Sequence, residues 1–352
     1  MDAPRSPLGV MSMYGIQGGG VARDRFNLLN KYSTFRFIDA SDPVPVASDA
    51  KFSDIVNARA AEFAGKQVLV AWSGGVDSTV VLLSLLENGV DPKDMEVVYS
   101  GDSMLEYPAL YRHLRGTVSM RRVSDTRSGW RDALTGSGAE CIVSGQCGDS
   151  IYTSSWFFLN DPTCSMVNLP VETFLAANEY SFGELSADDA MAFADEYREG
   201  ANRLFGIQLK TAAEFVWYAG FCMGYASKRN GFAGLLAGTP AASKCVAFFA
   251  TPKFESWSVG QFPTIRTRFA NGFSPLEYKR EYKEYCNALF PDWQYMVKGK
   301  VGSWRKKDME FLPDGKRRFV IKLDDGTKIY DVPADKFSDD AFMSEFVAPY
   351  RI

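Results

Sequence analysis

The sequence contains a single histidine among 352 residues. His113 alone cannot build a multi-histidine zinc or iron site, and any Ser-His-Asp or Cys-His scheme would have to run through it. If the chain is an enzyme, its chemistry then rests mostly on carboxylates, lysines, backbone amides or a bound ion. Cysteine is also sparse: Cys141, Cys147, Cys164, Cys222, Cys245 and Cys286 are scattered with no CxxC pair, which reads as reduced thiols and excludes a zinc knuckle or a disulfide framework. No apolar run approaches the roughly 18 residues of a membrane span; the nearest, Phe215 to Ala226, is too short. The opening MDAPRSPLGVMSMYG lacks the basic-then-apolar pattern of a signal peptide, so no membrane and a cytoplasmic location are expected. A basic excess is missing as well. With 39 basic against 43 acidic residues, the net charge is -4, which disfavours a protein dedicated to neutralising nucleic-acid phosphates.

What is present suggests a globular chain. Hydrophobic residues make up 46% and charged residues 23%, and the length exceeds the roughly 250 to 300 residues at which one core stops growing, so two lobes are expected. Residues 1–50 are rich in Gly, Pro, Ser and Asp, include Gly18-Gly19-Gly20, and read as a terminal arm. Residues 51–170 alternate helical and strand patterns. Phe52, Ile55, Val56 and Ala60 recur at helical spacing before the apolar run Val68 to Trp72, and further strands are expected at Glu96 to Tyr99 and Cys141 to Val143. The stretch between those last two reads as irregular and rich in Arg and Ser. Residues 171–297 read as a helical, aromatic-rich lobe, for example Ala187 to Tyr197 and Ala212 to Tyr225. In residues 298–352 a basic segment precedes a β-hairpin pattern around Asp324-Asp325-Gly326. Strands alternating with helices predict an α/β fold: a parallel sheet flanked by helices, with ligands at the carboxyl ends of the strands.

The most informative segment is Val68-Leu-Val-Ala-Trp-Ser73-Gly74-Gly75-Val76-Asp77-Ser78-Thr79. Glycines allow close backbone approach to an anion, Ser73 and Ser78 offer hydroxyls, and a helix starting near Asp77 aims free amides at the same point. Asp77 would repel phosphate unless a divalent cation lay between them, which implies Mg2+. The plainer reading is a strand-to-helix turn capped by Ser73 or Asp77.

SGGVDS after an apolar strand resembles the PP-loop of the ATP pyrophosphatases, an adenine nucleotide alpha-hydrolase-like fold. The resemblance implies ATP cleaved between its α- and β-phosphates. Further along, Ser144-Gly145-Gln146-Cys147-Gly148-Asp149-Ser150 resembles the SGEGxDE loop of the synthetase domain of asparagine synthetases. By that likeness Ser144 and Gly145 touch the nucleotide, and Asp149 shares Mg2+ with Asp77. The segment Val246 to Trp257 is similar to the family's PFLD segment. Lys279-Arg-Glu-Tyr-Lys283, followed by Lys298-Gly-Lys300, is similar to its KxxLR helix and trailing lysine turn. This implies that Lys279 reaches the phosphates and that Lys298 contacts the nucleotide. The likeness extends from Val68 to about Ser303 and includes no glutaminase domain; position 2 is Asp2.

Two departures stand out. The family's glutamate is Gln146 here, and its final acid is Ser150. An amide cannot take a proton from an attacking amine; Asp102 and Glu106 are either surface acids or a substitute base. The expectation is thus an AMP-forming carbon-nitrogen ligase using ATP and Mg2+. It would adenylate a small-molecule carboxylate, or a base carbonyl, and pass it to ammonia or an amine. Alternatives are a nucleobase or nucleic-acid modification enzyme binding through the basic stretch from Lys298 to Arg318, a non-catalytic nucleotide-binding protein, or a relative of the phosphoadenosine-phosphosulfate reductases. Gly101-Asp-Ser-x-x-Glu-Tyr-Pro resembles a segment of those reductases, but the cysteine tail they need does not occur after Cys286. Cys147 reads as a buried small residue and His113 as a surface one.

Overall fold

A computed structural model describes residues 44–124, 127–152, 166–177, 187–224, 231–265, 277–297, 309–311, 316–323 and 326–333. The chain divides into two compact units, each assembled from separate segments. One comprises residues 52–145, 232–248 and 279–352, and the other residues 1–51, 146–231 and 249–278.

The first unit is built on a five-stranded, all-parallel sheet. Its strands are β1 (Val68–Trp72), β2 (Met95–Tyr99), β3 (Ser119–Arg122), β4 (Cys141–Ser144) and β5 (Cys245–Ala247), in the order β3-β2-β1-β4-β5. All five residues of β1 are buried, as expected of a central strand covered on both faces. Leu69, Val98 and Ile142 share a cluster with Leu134 and Ala133 of the Arg127–Thr135 helix and with Leu236. The Val76–Glu87 helix packs on β1 and β4 and against the Phe52–Ala61 and Arg280–Leu289 helices. Its sequence, VDSTVVLLSLLE, is buried continuously from Ser78 to Leu85, which explains its near-absence of charge.

β3 runs through the stretch whose sequence reads as irregular. Its residues, SMRR, carry no apolar run; the edge is held by Arg121, whose guanidinium makes two bonds to Glu96 on the neighbouring strand, at 2.7 and 3.1 Å, and a third to the Ala133 carbonyl. β5 was likewise not expected: three residues inside a segment otherwise read as helical. Strands β6 (Met309–Phe311), β7 (Lys316–Leu323) and β8 (Gly326–Pro333) form a separate antiparallel sheet in the order β6-β7-β8.

The second unit is helical among the described residues, with helices Val171–Ala177, Ala187–Phe205, Ala212–Ala219 and Pro252–Gly260. Every residue of Ala212–Ala219 is buried; Glu214 turns back to accept from the amides of Lys210 and Thr211, and five residues of π-helix, Gly220–Gly224, continue it. Trp217 at its centre donates to the Ser258 hydroxyl at 3.1 Å. No helix among the described residues is long and apolar enough to cross a membrane.

Candidate functional site

In the strand order, β1 connects onward to β2 on one side while β4 lies on the other. The carboxyl ends of β1 and β4 therefore flank the point where the connections diverge, the usual ligand crevice of an open parallel sheet. The loop 73–78 and residues Ser144 and Gly145 all lie there.

The β1 loop is closed by its own polar groups. The Ser78 hydroxyl accepts from the Ser73 amide at 3.1 Å, lies 3.0 Å from the Ser73 hydroxyl and donates to the Gly75 carbonyl at 3.0 Å. Ser78 is buried and so serves the loop's shape, whereas Ser73 is exposed. The Val76–Glu87 helix begins at Gly75 with no side-chain cap. Of the capping by Ser73 or Asp77 that the sequence allows, a long bond is made: the Gly75 amide donates to the Ser73 hydroxyl at 3.4 Å. Such a terminus attracts anions.

The two glycines do different work. Gly74 has φ +73, and a Cβ there would sit 2.3 Å from the Ser103 carbonyl oxygen and 2.7 Å from the Glu106 Cβ. Its missing side chain makes room for the Gly101–Glu106 helix, not for a ligand. At Gly75 a Cβ would meet only the Ser73 hydroxyl, at 3.3 Å. Gly145 is also a packing glycine: a Cβ would lie 2.7 Å from the Ser78 amide nitrogen and 3.0 Å from the Asp77 Cβ. The β4 strand end is thereby seated directly on the start of the helix. Ser144, 2% exposed, ends β4 and accepts the Phe248 amide at 3.0 Å.

Lys279, 202 residues along the chain from Asp77, places its ammonium 2.5 Å from both carboxylate oxygens. It is 1% exposed, adopts a left-handed conformation (φ 55) and precedes the Arg280–Leu289 helix. The sequence expectation joins Lys279 to phosphate and Asp77 to metal; the structure joins the two to each other. Beneath them lies Cys286, fully buried, its thiol pushed up first by burial and then by the Asp77 charge.

No protein-family model matches the chain, and no curated protein matches it.

Asp149 belongs to the other unit, where its carboxylate accepts from the Tyr278 hydroxyl at 3.0 Å. Tyr278 is the last residue of this unit before the chain passes to the other at Lys279. Gln146 is half-buried, and Cys147 is buried with φ 72. The Ser150 hydroxyl is buried with no hydrogen-bond partner among the described residues. Asp102 is half-buried, but Glu106 is 4% exposed and is not a surface acid. His113 is exposed, with its ring 5.2 Å from that of Phe290. Lys298 and most of the basic stretch lie outside the described residues, as does Gly18-Gly19-Gly20; Lys316, Arg317 and Arg318 start β7. A cavity of about 450 Å³ is lined by Ser128, Arg131, Gly234, Leu235 and Ala237, none of them an expected site residue.

Sequence reasoning missed Tyr295. Its hydroxyl donates to the Gly74 carbonyl at 3.0 Å, across 221 residues of chain. No local signal marks it; FPDWQYM reads as an ordinary helix start.

Proposed function

We propose that the protein is an ATP-dependent, AMP- and pyrophosphate-forming ligase that adenylates a carboxylate and transfers the acyl group to ammonia or an amine. The observation that carries this reading is the helix that starts at Gly75 behind the 73–78 loop, at the sheet's divergence point, with the Lys279 ammonium bound to Asp77 in its first turn. A carboxylate oxygen attacks the α-phosphorus, the bond to the bridging oxygen breaks, and pyrophosphate leaves with that electron pair. Nitrogen then attacks the acyl carbon, AMP departs, and the nitrogen loses a proton. Loop amides and Lys279 suit the charge that builds on the departing pyrophosphate.

Magnesium would neutralise phosphate charge during that departure. It is commonly held by one or two carboxylates plus phosphate oxygens and water, so a small donor set suffices. No cluster of three or more His, Cys, Asp or Glu occurs among the described residues. Asp77 fits as one such ligand: a carboxylate offers about four lone-pair sites, and the Lys279 ammonium takes one on each oxygen.

The test is pyrophosphate release from ATP and magnesium across a panel of carboxylic acids with ammonium or amines. Release is expected from the wild type and should fall by about 100-fold or more in Asp77→Ala, since the loop loses its charge partner. ATP binding without Asp77-dependent release would reduce the protein to a nucleotide binder, the reading favoured by Gln146. Release stimulated only by single-stranded DNA or tRNA would shift the substrate to a nucleobase.

A further inference from the structure

The carbonyl of Gly74 is turned into the protein, away from the loop mouth. The Tyr295 hydroxyl donates to it at 3.0 Å, whereas the Thr79 hydroxyl is 3.5 Å away. Trp72 Nε1 donates to Thr79 Oγ1 at 3.1 Å, and the Thr79 and Tyr295 hydroxyls lie 3.2 Å apart. Indole can only donate and the carbonyl can only accept, and each hydroxyl has one proton. The distances are met together when Trp72 donates to Thr79, Thr79 to Tyr295, and Tyr295 to Gly74. Tyr295 itself is firmly placed. It is 5% exposed, its ring lies flat on Tyr107 with centroids 3.6 Å apart and planes at 5°, its amide donates to Asp292, and Lys283 donates to the next carbonyl, that of Met296, at 2.9 Å.

The Gly74 carbonyl and the Gly75 amide belong to one planar trans peptide, so they point in opposite directions. Holding the carbonyl inward aims the Gly75 N–H outward, where it donates a long bond of 3.4 Å to the exposed Ser73 hydroxyl, a partner that an anion could replace. Gly74, with φ +73 and no Cβ, has little intrinsic preference that would hold this peptide by itself.

We propose that Tyr295 is a positioning residue for anion binding: its hydroxyl fixes the Gly74–Gly75 peptide so that the Gly75 amide faces the phosphates. This rests on the reading of the loop as a pyrophosphate site. Inorganic pyrophosphate with magnesium is titrated calorimetrically into the wild type, Tyr295→Phe, Thr79→Val and Tyr285→Phe. Tyr285→Phe is the control, because it removes another buried phenol of the same unit, one bonded to Asn57 at 2.6 Å and not to the loop. Tyr295→Phe keeps the stacked ring and should weaken binding about tenfold, the scale of one lost oriented donor to a charged ligand. Thr79→Val should weaken it less, and Tyr285→Phe should leave it unchanged. Wild-type affinity in both Tyr295→Phe and Thr79→Val would overturn the proposal while leaving the ligase reading intact. Equal weakening in Tyr285→Phe would overturn it too, by assigning the effect to lost stability. A wild type that binds no pyrophosphate would remove the anion site, and the ligase reading with it.

Discussion

The loops that follow β1 and β4 carry similar residues, Ser-Gly-Gly-Val-Asp-Ser at 73–78 and Ser-Gly-Gln-Cys-Gly-Asp-Ser at 144–150, yet they are held differently. The first runs straight into a twelve-residue helix of its own unit, and its inward polar groups are matched: Ser78 to Ser73 and Gly75, Asp77 to Lys279, Gly74 to Tyr295. The second leaves the sheet unit after Gly145, bends through Cys147 in a conformation that disfavours a side chain, enters a five-residue helix and buries the Ser150 hydroxyl without a partner among the described residues. A left-handed non-glycine residue costs roughly 1 kcal/mol and a buried unbonded hydroxyl a comparable amount. The β1 loop is thus fixed before any ligand arrives, which suits a site for a fixed charge. The β4 loop carries the local cost, at Cys147 and at Ser150, the second of which is a position where the sequence departs from the pattern it resembles.

If the β1 loop is rigid for the reasons given, its most sensitive position is Gly74. An alanine there must adopt φ +73 and place a methyl group 2.3 Å from the Ser103 carbonyl. Strain plus overlap should cost about 2–4 kcal/mol. Urea denaturation of Gly74→Ala against the wild type measures this directly. A loss below about 0.5 kcal/mol, within the range of an ordinary surface change, would mean that the loop yields and that the contrast with the β4 loop is wrong.

Much of this site was legible in the sequence because its parts are local. The buried run at Val68–Trp72, the paired glycines and the apolar helix after them lie within twenty residues, and each has its own signature. What was not legible depends on chain closure. β3 is held by a cross-strand ion pair, so no periodicity betrays it. Tyr295 acts over 221 residues. Glycine in a loop suggests room for a ligand, but only the fold shows that the space at Gly74 is taken by Ser103 and Glu106 and that at Gly145 by Asp77 and Ser78. Lys279 was expected near the loop from resemblance; its partner there, Asp77, was not.

A second test asks how dry the ground beneath the β1 loop is. Burial, and then the Asp77 charge, hold the Cys286 thiol well above its ordinary value of 9.0, so the fold keeps it neutral. A raised folded value means stability that is fully present below the unfolded pKa and lost as pH climbs above it. Stability should therefore fall from about pH 9 upward, by at most about 1.4 kcal/mol per pH unit for one proton. Cys286→Ala should flatten the interval from pH 9 to 10, leaving the buried phenols Tyr107, Tyr285 and Tyr295, whose values are also raised, to act at higher pH. An unchanged slope in Cys286→Ala would show that solvent reaches the thiol and that the loop is less sealed than its packing indicates.

The smallest effect belongs to the β4 loop and has the opposite sign. Ser150 is 4% exposed and its hydroxyl has no hydrogen-bond partner among the described residues. Removing a buried donor that bonds to nothing sacrifices no interaction and relieves a desolvation cost, while the alanine methyl retains the Cβ contacts. Ser150→Ala should therefore be neutral or stabilising by up to about 1 kcal/mol, where a well-bonded buried serine would lose a similar amount. Ser84 provides the matched reference: it too is buried, but its hydroxyl donates to the Val81 carbonyl at 2.9 Å. Denaturation midpoints of the two alanine variants should move in opposite directions, or Ser84→Ala alone should fall. If Ser150→Ala falls as far as Ser84→Ala, the Ser150 hydroxyl is satisfied in solution, and the β4 loop does not carry that local cost.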